Sequence, residues 1–255
     1  MRIALISDIH GNRWALAAVL EHIARQRVDA IWNLGDILSG PLEPAATADL
    51  LIPLALPTVR GNHERQLLAC AERAGGASDQ FAFEHTEPRH RDWLRGLPVT
   101  LAPRADALLC HGTPGSDVTP LLETIELDGQ RPATSAEVEH RTAGAAARLI
   151  VCGHTHVPRV VRTADGRVIV NPGSVGLPAY DADHPLAVPA DQPAVYYVET
   201  GSPHASYAIV DDADPRWEVA CFRIAYDWDS AAACAERNHR PEWAYALRTG
   251  FALRA

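Results

Sequence analysis

An α/β protein with a largely parallel opening to its sheet is the fold that this 255-residue sequence predicts. Three observations carry that expectation. Short apolar runs with β-branched members, such as Ile3-Ala4-Leu5-Ile6, stop abruptly at Ser, Asp or Gly. The early runs are followed by stretches with apolar residues at helical spacing. Strand, loop and helix then recur in that order, as they do where helices cross between parallel strands.

Residues 3–6 read as a buried strand, and Leu16, Val19, Leu20 and Ile23 place an amphipathic helix over 13–25. A second strand at 31–34 stops at Gly35-Asp36, a helix covers 44–52, and a strand at 57–59 stops at Gly61-Asn62. Residues 63–95 are mostly helical, with a break at Gly75-Gly76. The pattern then changes to short strands at 99–101, 107–110, 149–152, 157–162 and 168–170, the last two joined by a tight turn at Asp165-Gly166. The stretch from 175 to 204 is rich in Pro, Asp and Ala, lacks periodicity and reads as a long surface loop. Strands at 206–210 and 217–223 flank an acidic turn, and helices near 229–237 and 241–249 close the chain. The expected organisation is one domain over 1–228, with a loop-rich insertion at about 175–205, and a helical extension over 229–255 packed on it.

Composition narrows the function. With 47% apolar and 22% charged residues and no low-complexity tract, the chain has the make-up of a soluble globule. Its 23 basic residues against 32 acidic ones give a net charge of −9, so no diffuse positive field exists to draw in nucleic acid or an anionic membrane. Every basic residue is arginine, which excludes Schiff-base chemistry and a P-loop lysine. The five cysteines (Cys70, Cys110, Cys152, Cys221 and Cys234) are odd in number, widely spaced and form no CxxC, as expected of reduced thiols. The opening residues carry no hydrophobic signal stretch, and no segment has the length of a transmembrane helix. A cytoplasmic protein without a membrane partner is expected, and its oligomeric state is left open.

Acids, amides and histidines fall at the strand exits. Asp8 and His10 follow the first strand, Asp36 the second, and Asn62-His63 the third. His111 follows the strand ending at Cys110, and His154 with His156 follows the strand ending at Cys152. Loops at strand carboxyl ends converge in open α/β sheets, so two carboxylates, one amide oxygen and five imidazoles arrive at one edge. Imidazole favours zinc, iron, nickel or manganese over magnesium, and the oxygen donors favour manganese or iron over copper. Asp36 is the central candidate to bridge two ions. Taken singly, each block has an ordinary structural explanation, and Gly61-Asn62-His63-Glu64 could simply open a helix with Asn62 as its cap. Their coincidence in order, each at a strand exit, favours a metal site. The remaining histidines (His22, His85, His90, His140, His184, His204 and His239) lack that context and are read as surface or ordinary core residues.

Asp8-Ile9-His10-Gly11-Asn12, Gly35-Asp36, Gly61-Asn62-His63-Glu64, His111-Gly112, Gly153-His154-Thr155-His156 and Asn171-Pro172-Gly173-Ser174 together resemble the signature of the calcineurin-like metallophosphoesterases. The blocks lie in order over residues 3–175. Ser39-Gly40-Pro41 and His156-Val157-Pro158 resemble its small bacterial branch of YfcE-like phosphodiesterases and diadenosine tetraphosphatases. The resemblance implies a four-layer α/β/β/α sandwich of two mixed sheets and a dinuclear metal centre of Mn, Fe, Ni or Zn, with Mn or Fe favoured. By matching positions, one metal takes Asp8, His10, Asp36 and His156, and the other takes Asp36, Asn62, His111 and His154. His63 then faces the substrate as the catalytic acid, with Glu64 either orienting it or standing as an exposed helix-start acid. Arg13 and Arg60 lie beside the site loops as candidate phosphate contacts. The implied activity is hydrolysis of a small phosphodiester or dinucleoside polyphosphate through a metal-bridging hydroxide. A serine/threonine phosphoprotein phosphatase and a catalytically silent metal-binding scaffold are the alternatives. In place of the Pro-Arg turn of many relatives, this chain has Leu177-Pro178-Ala179-Tyr180. The loop beyond it is either a lid, with Tyr180 or Tyr196 stacking a base, or a surface insertion, and the insertion is the expectation.

Overall fold

The computed structural model describes residues 1–127, 129–183, 195–213 and 216–254. Strand β1 (Arg2–Ile6) leads into helix α1 (Arg13–Ala24), which Asn12 caps by accepting from the Ala15 amide at 3.1 Å. Strand β2 (Ala30–Asn33), helix α2 (Pro44–Leu51) with proline in its first turn, and helices α3 (Asn62–Ala69), α4 (Ala77–Glu84) and α5 (Pro88–Arg95) complete the first half. Next come β3 (Leu101–Arg104), β4 (Ala107–Leu109), β5 (Glu123–Glu126), β6 (Gly129–Pro132), α6 (Ser135–Arg141), β7 (Leu149–Val151), β8 (Arg159–Arg162) and β9 (Val168–Asn171). The chain continues through β10 (Ala179–Asp183), β11 (Val195–Glu199), β12 (Ala205–Asp211), β13 (Glu218–Ile224), α7 (Trp228–Arg237) and α8 (Pro241–Thr249).

Two mixed sheets face one another. The first has the order β13-β12-β1-β2, with β1 parallel to β2 and antiparallel to β12. The second has the order β3-β4-β7-β9-β8, with β4, β7 and β9 parallel. β1 is apolar on both faces because both are covered. Ile3 and Leu5 point between the sheets onto Leu109, Val151, Val170 and Val210, while Ala4 and Ile6 point to Leu16, Val19, Ala48 and Leu67 of the helices. On the far side Ile150, Cys152 and Ile169 pack beneath Leu121, Leu122 and Val138. The layers are therefore α/β/β/α. Helices α7 and α8 bury Ala231, Ala235, Trp243 and Leu247 against Leu42, Leu177 and Ala179.

Several elements differ from expectation. Residues 57–59 pair with β2 through a single parallel bridge at Thr58, since Pro57 has no N–H to extend the ladder. The stretch from 175 to 204 is not one long loop. β10 and β11 pair antiparallel from Ala179↔Glu199 to Asp183↔Val195, although His184 and the rest of 184–194 lie outside the described residues. Its strands went unseen because Tyr180-Asp181-Ala182-Asp183 mixes polar and small residues without a clean alternation. The β5–β6 pair is mostly polar and half-exposed, which hid it in the same way. α6 carries a signal that was available: Thr134 and Glu137 form a capping box. No helix of the described residues is long and apolar enough to cross a membrane.

Candidate metal centre

Asp8 and His10 leave β1, Asp36 leaves β2, Asn62 and His63 open α3, His111 leaves β4, and His154 with His156 leaves β7. Within each sheet these strands run parallel, so their exits share an edge. The loops turn inward through an uncommon backbone conformation. Asp8, His10, Asp36, His154 and His156 all have positive φ, between 52° and 72°, a region that costs a side-chain-bearing residue about 1–3 kcal/mol. The loops are also pressed together: a Cβ at Gly61 would lie 2.2 Å from Asp36 Oδ1.

The donor atoms form two adjoining groups, Asp8 with His10 and His156, and Asp36 with His111 and His154. Backbone carbonyls fix three of the rings. His10 Nδ1 donates to Ser39 O at 2.8 Å, His156 Nδ1 to Leu177 O at 2.7 Å and His111 Nδ1 to Leu34 O at 2.7 Å. In each case Nε2 is left as the lone pair facing inward. His154 is turned the other way: Nε2 donates to Val118 O at 3.1 Å, and Nδ1 meets Asn62 Oδ1 at 3.1 Å. Asp8 Oδ1 lies 3.5 Å from His156 Nε2 and 3.9 Å from His111 Nε2, between the two groups.

Two contacts are poorly satisfied by these side chains in their neutral-ring forms. His10 Nε2 and His156 Nε2 are 3.1 Å apart, and with both Nδ1 atoms donating, two lone pairs face each other. His111 Nε2 is buried without a hydrogen bond of acceptable geometry, although Asp36 Oδ2 is 2.9 Å away. Nitrogen and oxygen lone pairs converging at such distances suit a cation between them. Charge tells the same story. Burial opposes a proton on His111, yet the Asp36 carboxylate beside it carries its pKa up to about 10. Burial and the neighbouring His156 push His10 down to about 3, and burial with His111 pushes His154 down to about 4. Asp36 is held well below the usual carboxylate range against its burial, chiefly by His111 and His63. The Asp36 carboxylate thus favours a positive charge at His111, while His10 and His154 stay neutral.

Residues 1–190 match the model of the calcineurin-like phosphoesterase superfamily domain. The chain belongs to that superfamily. It is 26% identical over 250 residues, 94% of each chain, to an uncharacterized protein of Methanocaldococcus jannaschii. It is similar in structure to a metallophosphoesterase from Sphaerobacter thermophilus, at 25% identity and a TM-score of 0.72 over 97% of this chain and 98% of the other. The two mixed sheets of this calcineurin-like phosphoesterase are those of the superfamily fold.

His63 belongs to neither donor group. Its amide donates to Asp36 Oδ1 at 2.9 Å, and its Nδ1 pairs with buried Asp79 Oδ1 at 2.8 Å, leaving Nε2 toward a cavity of about 600 Å³. Burial lowers its proton affinity, but Asp36 and then Asp79 raise it further, to about 9. Glu64 is neither an exposed acid nor a partner of the His63 ring. It is fully buried and accepts from the amides of Asp36 at 2.9 Å, Ile37 at 2.7 Å and Gly61 at 2.8 Å, stapling the β2 exit to the start of α3. Arg13 and Arg60 do not line the cavity; Arg13 reaches Glu43 at 3.8 Å and lies over the Trp14 ring. Its arginine is Arg240, at the start of α8, beside Trp243. Among the described residues of the 175–205 segment, expected as a surface insertion, Tyr180, Asp181, Ala182 and Tyr196 of β10 and β11 line the same wall. Sequence reasoning missed Asp79, Arg240 and Trp243. The only hint lay in Asp79 falling in the first turn of a helix expected near the site.

Proposed function

We propose that this chain is a dinuclear, metal-dependent phosphoesterase that hydrolyses small phosphodiester or dinucleoside polyphosphate-type substrates. The observation that carries it is the 3.1 Å approach of the His10 and His156 Nε2 atoms, both rings being locked by carbonyls in the tautomer that points lone pairs inward. Asp8, His10, Asp36 and His156 would hold one ion, and Asp36, Asn62, His111 and His154 the other, with manganese or iron suiting the mixed donors best. When bound, the ions supply Lewis-acid polarisation of the phosphoryl oxygens and acidify the attacking water. The chain's own residues orient and protonate. His63 Nε2, aimed by the Asp79 contact on its other nitrogen, gives its proton to the leaving oxygen. Glu64 keeps Asp36 and His63 in register through three backbone hydrogen bonds. The cavity, walled on its outer side by Tyr180, Tyr196 and Trp243, suits a small substrate better than a phosphoprotein surface. Free thiols at all five cysteines support a cytoplasmic setting. We assign the catalytic unit to residues 1–228, with 229–255 as a helical extension on it.

The test is metal content per chain on purified protein, with bis-p-nitrophenyl phosphate turnover measured on the same sample with and without Mn²⁺. The expected result is about two ions and chelator-sensitive cleavage. Two ions with no turnover of any phosphoester would leave a metal-binding scaffold. Faster turnover of phosphopeptides than of dinucleotides would move the substrate class to phosphoproteins. No metal and no manganese response would overturn the reading.

A further inference from the structure

Resting on the phosphoesterase reading for the reacting phosphoryl group, we propose that Arg240, Ser39 and Trp243 form a second subsite in the same cavity, which takes the non-reacting part of the substrate: a flat aromatic ring joined to a further anionic group, as in a nucleoside diphosphate moiety. The cavity of about 600 Å³ is of the size that holds a nucleotide-scale ligand rather than a phosphate alone. Three of its lining groups offer a ligand polar or aromatic contacts.

Ser39 is fully buried, and its hydroxyl has no hydrogen-bond partner. Its carbonyl is occupied by His10 Nδ1, its side-chain oxygen is not, and the residue lines the cavity. A buried unpaired hydroxyl is costly, and a ligand acceptor placed there removes that cost. Arg240 is the only arginine lining the cavity among the described residues. Its Nε is held by Glu242 and its Nη1 donates to Ser78 Oγ at 3.2 Å, in the first turn of α4. The guanidinium is thereby pinned before any ligand arrives, and among the described residues Nη2 has no partner. A fixed planar fork with donors to spare is the usual arrangement for phosphate recognition. Glu242 offsets the net charge of Arg240 but leaves those donors available.

Trp243 supplies the flat surface. Its ring lies 6.1 Å from the His10 ring and 5.8 Å from the Arg240 guanidinium, between the donor group and the cation. It cannot drift toward the loop after β2, because a Cβ at Gly40, the residue after Ser39, would come within 2.9 Å of its Cη2 atom. Tyr180 stands against His156 with ring centroids 4.6 Å apart, so aromatic faces flank both imidazoles of that donor group. The stacking surface and the pinned guanidinium come from the start of α8 and the serine from the loop after β2, and all three residues line the same cavity as His63. Arg240 and Trp243 also lie beyond the 1–190 span that the family model matches, so this wall adds selectivity to a shared reaction centre.

The experiment uses the metal-loaded chain and its Arg240→Gln and Ser39→Ala variants. Affinity for α,β-methylene ADP is measured by calorimetry, and the ratio of kcat/KM for diadenosine tetraphosphate to that for bis-p-nitrophenyl phosphate is taken alongside. Arg240→Gln is expected to lower both the affinity and the ratio about tenfold, as for a lost charge-assisted hydrogen bond. Ser39→Ala should lower both about threefold. An equal fall on both substrates, or no change in the affinity, overturns the subsite. Wild-type chain that cleaves bis-p-nitrophenyl phosphate but does not bind the analogue removes the subsite and keeps the phosphoesterase reading. Arg240-dependent binding without cleavage of any phosphoester does the reverse.

Discussion

In the Asp8, His10 and His156 group, both imidazoles lean on carbonyls of buried residues, Ser39 and Leu177. In the Asp36, His111 and His154 group, His111 is held the same way by Leu34, but His154 leans on Val118, which is 49% exposed. The first group is also shielded by Trp243 and Tyr180, whereas the second is bounded by a polar loop in which Asp117 pairs with Arg65. Similar donors thus sit in unlike housings. Ligand identity decides that an ion binds, and the partners behind each ligand decide how firmly it stays.

The strongest way to break this contrast is Asp36→Asn, because both groups are expected to share that carboxylate. Turnover should fall at least about a thousandfold, and metal analysis should find both ions weakened rather than one. Retention of near-wild-type activity would remove the dinuclear assignment. His63→Ala removes no donor from either group and should lower kcat about a hundredfold, most for poor leaving groups, while metal content holds at the wild-type level. Loss of an ion in that variant would make His63 a ligand.

Glu64→Ala leaves three buried amides without an acceptor and should cost about 3 kcal/mol in urea unfolding. The Asp36 side of the centre should loosen first. Titration with a chelator sharpens the contrast in the unaltered chain: the ion of the Asp36, His111 and His154 group is expected to leave at about a tenfold lower chelator concentration than the other. Loss of both ions in one step would show that the two housings hold equally. The smallest effect belongs to Asp79→Asn. Asp79 helps to raise His63 to about 9 against its burial, so removing the carboxylate lowers that value. His63 then loses its proton at lower pH, and the alkaline limb of the kcat profile should move down by about one unit.

The seven candidate donors and His63 stand out in the sequence because they follow short apolar runs in loops that carry a glycine, so that position along the strand already suggests position in space. The buried first strand could be read directly, since Ile3 to Ile6 is apolar without alternation, whereas the four layers came only with the family resemblance. The wall opposite the ions could not be read that way. Arg240 meets Ser78 across 162 residues of chain, and Trp243 meets His10 from a helix whose composition resembles any amphipathic surface helix. Glu64 shows the limit within a motif: its place was evident, but whether its carboxylate faced solvent, imidazole or backbone depended on how closely Gly61 approaches Asp36.

The left-handed backbone at Asp8, His10, Asp36, His154 and His156 has an evolutionary consequence. At such positions glycine relieves strain that aspartate and histidine must bear. A lineage released from selection for turnover would therefore be expected to drift toward glycine or asparagine there, gaining thermal tolerance as it loses its chemistry. Aspartate and histidine at all five positions thus set the donors in place at a cost in backbone stability.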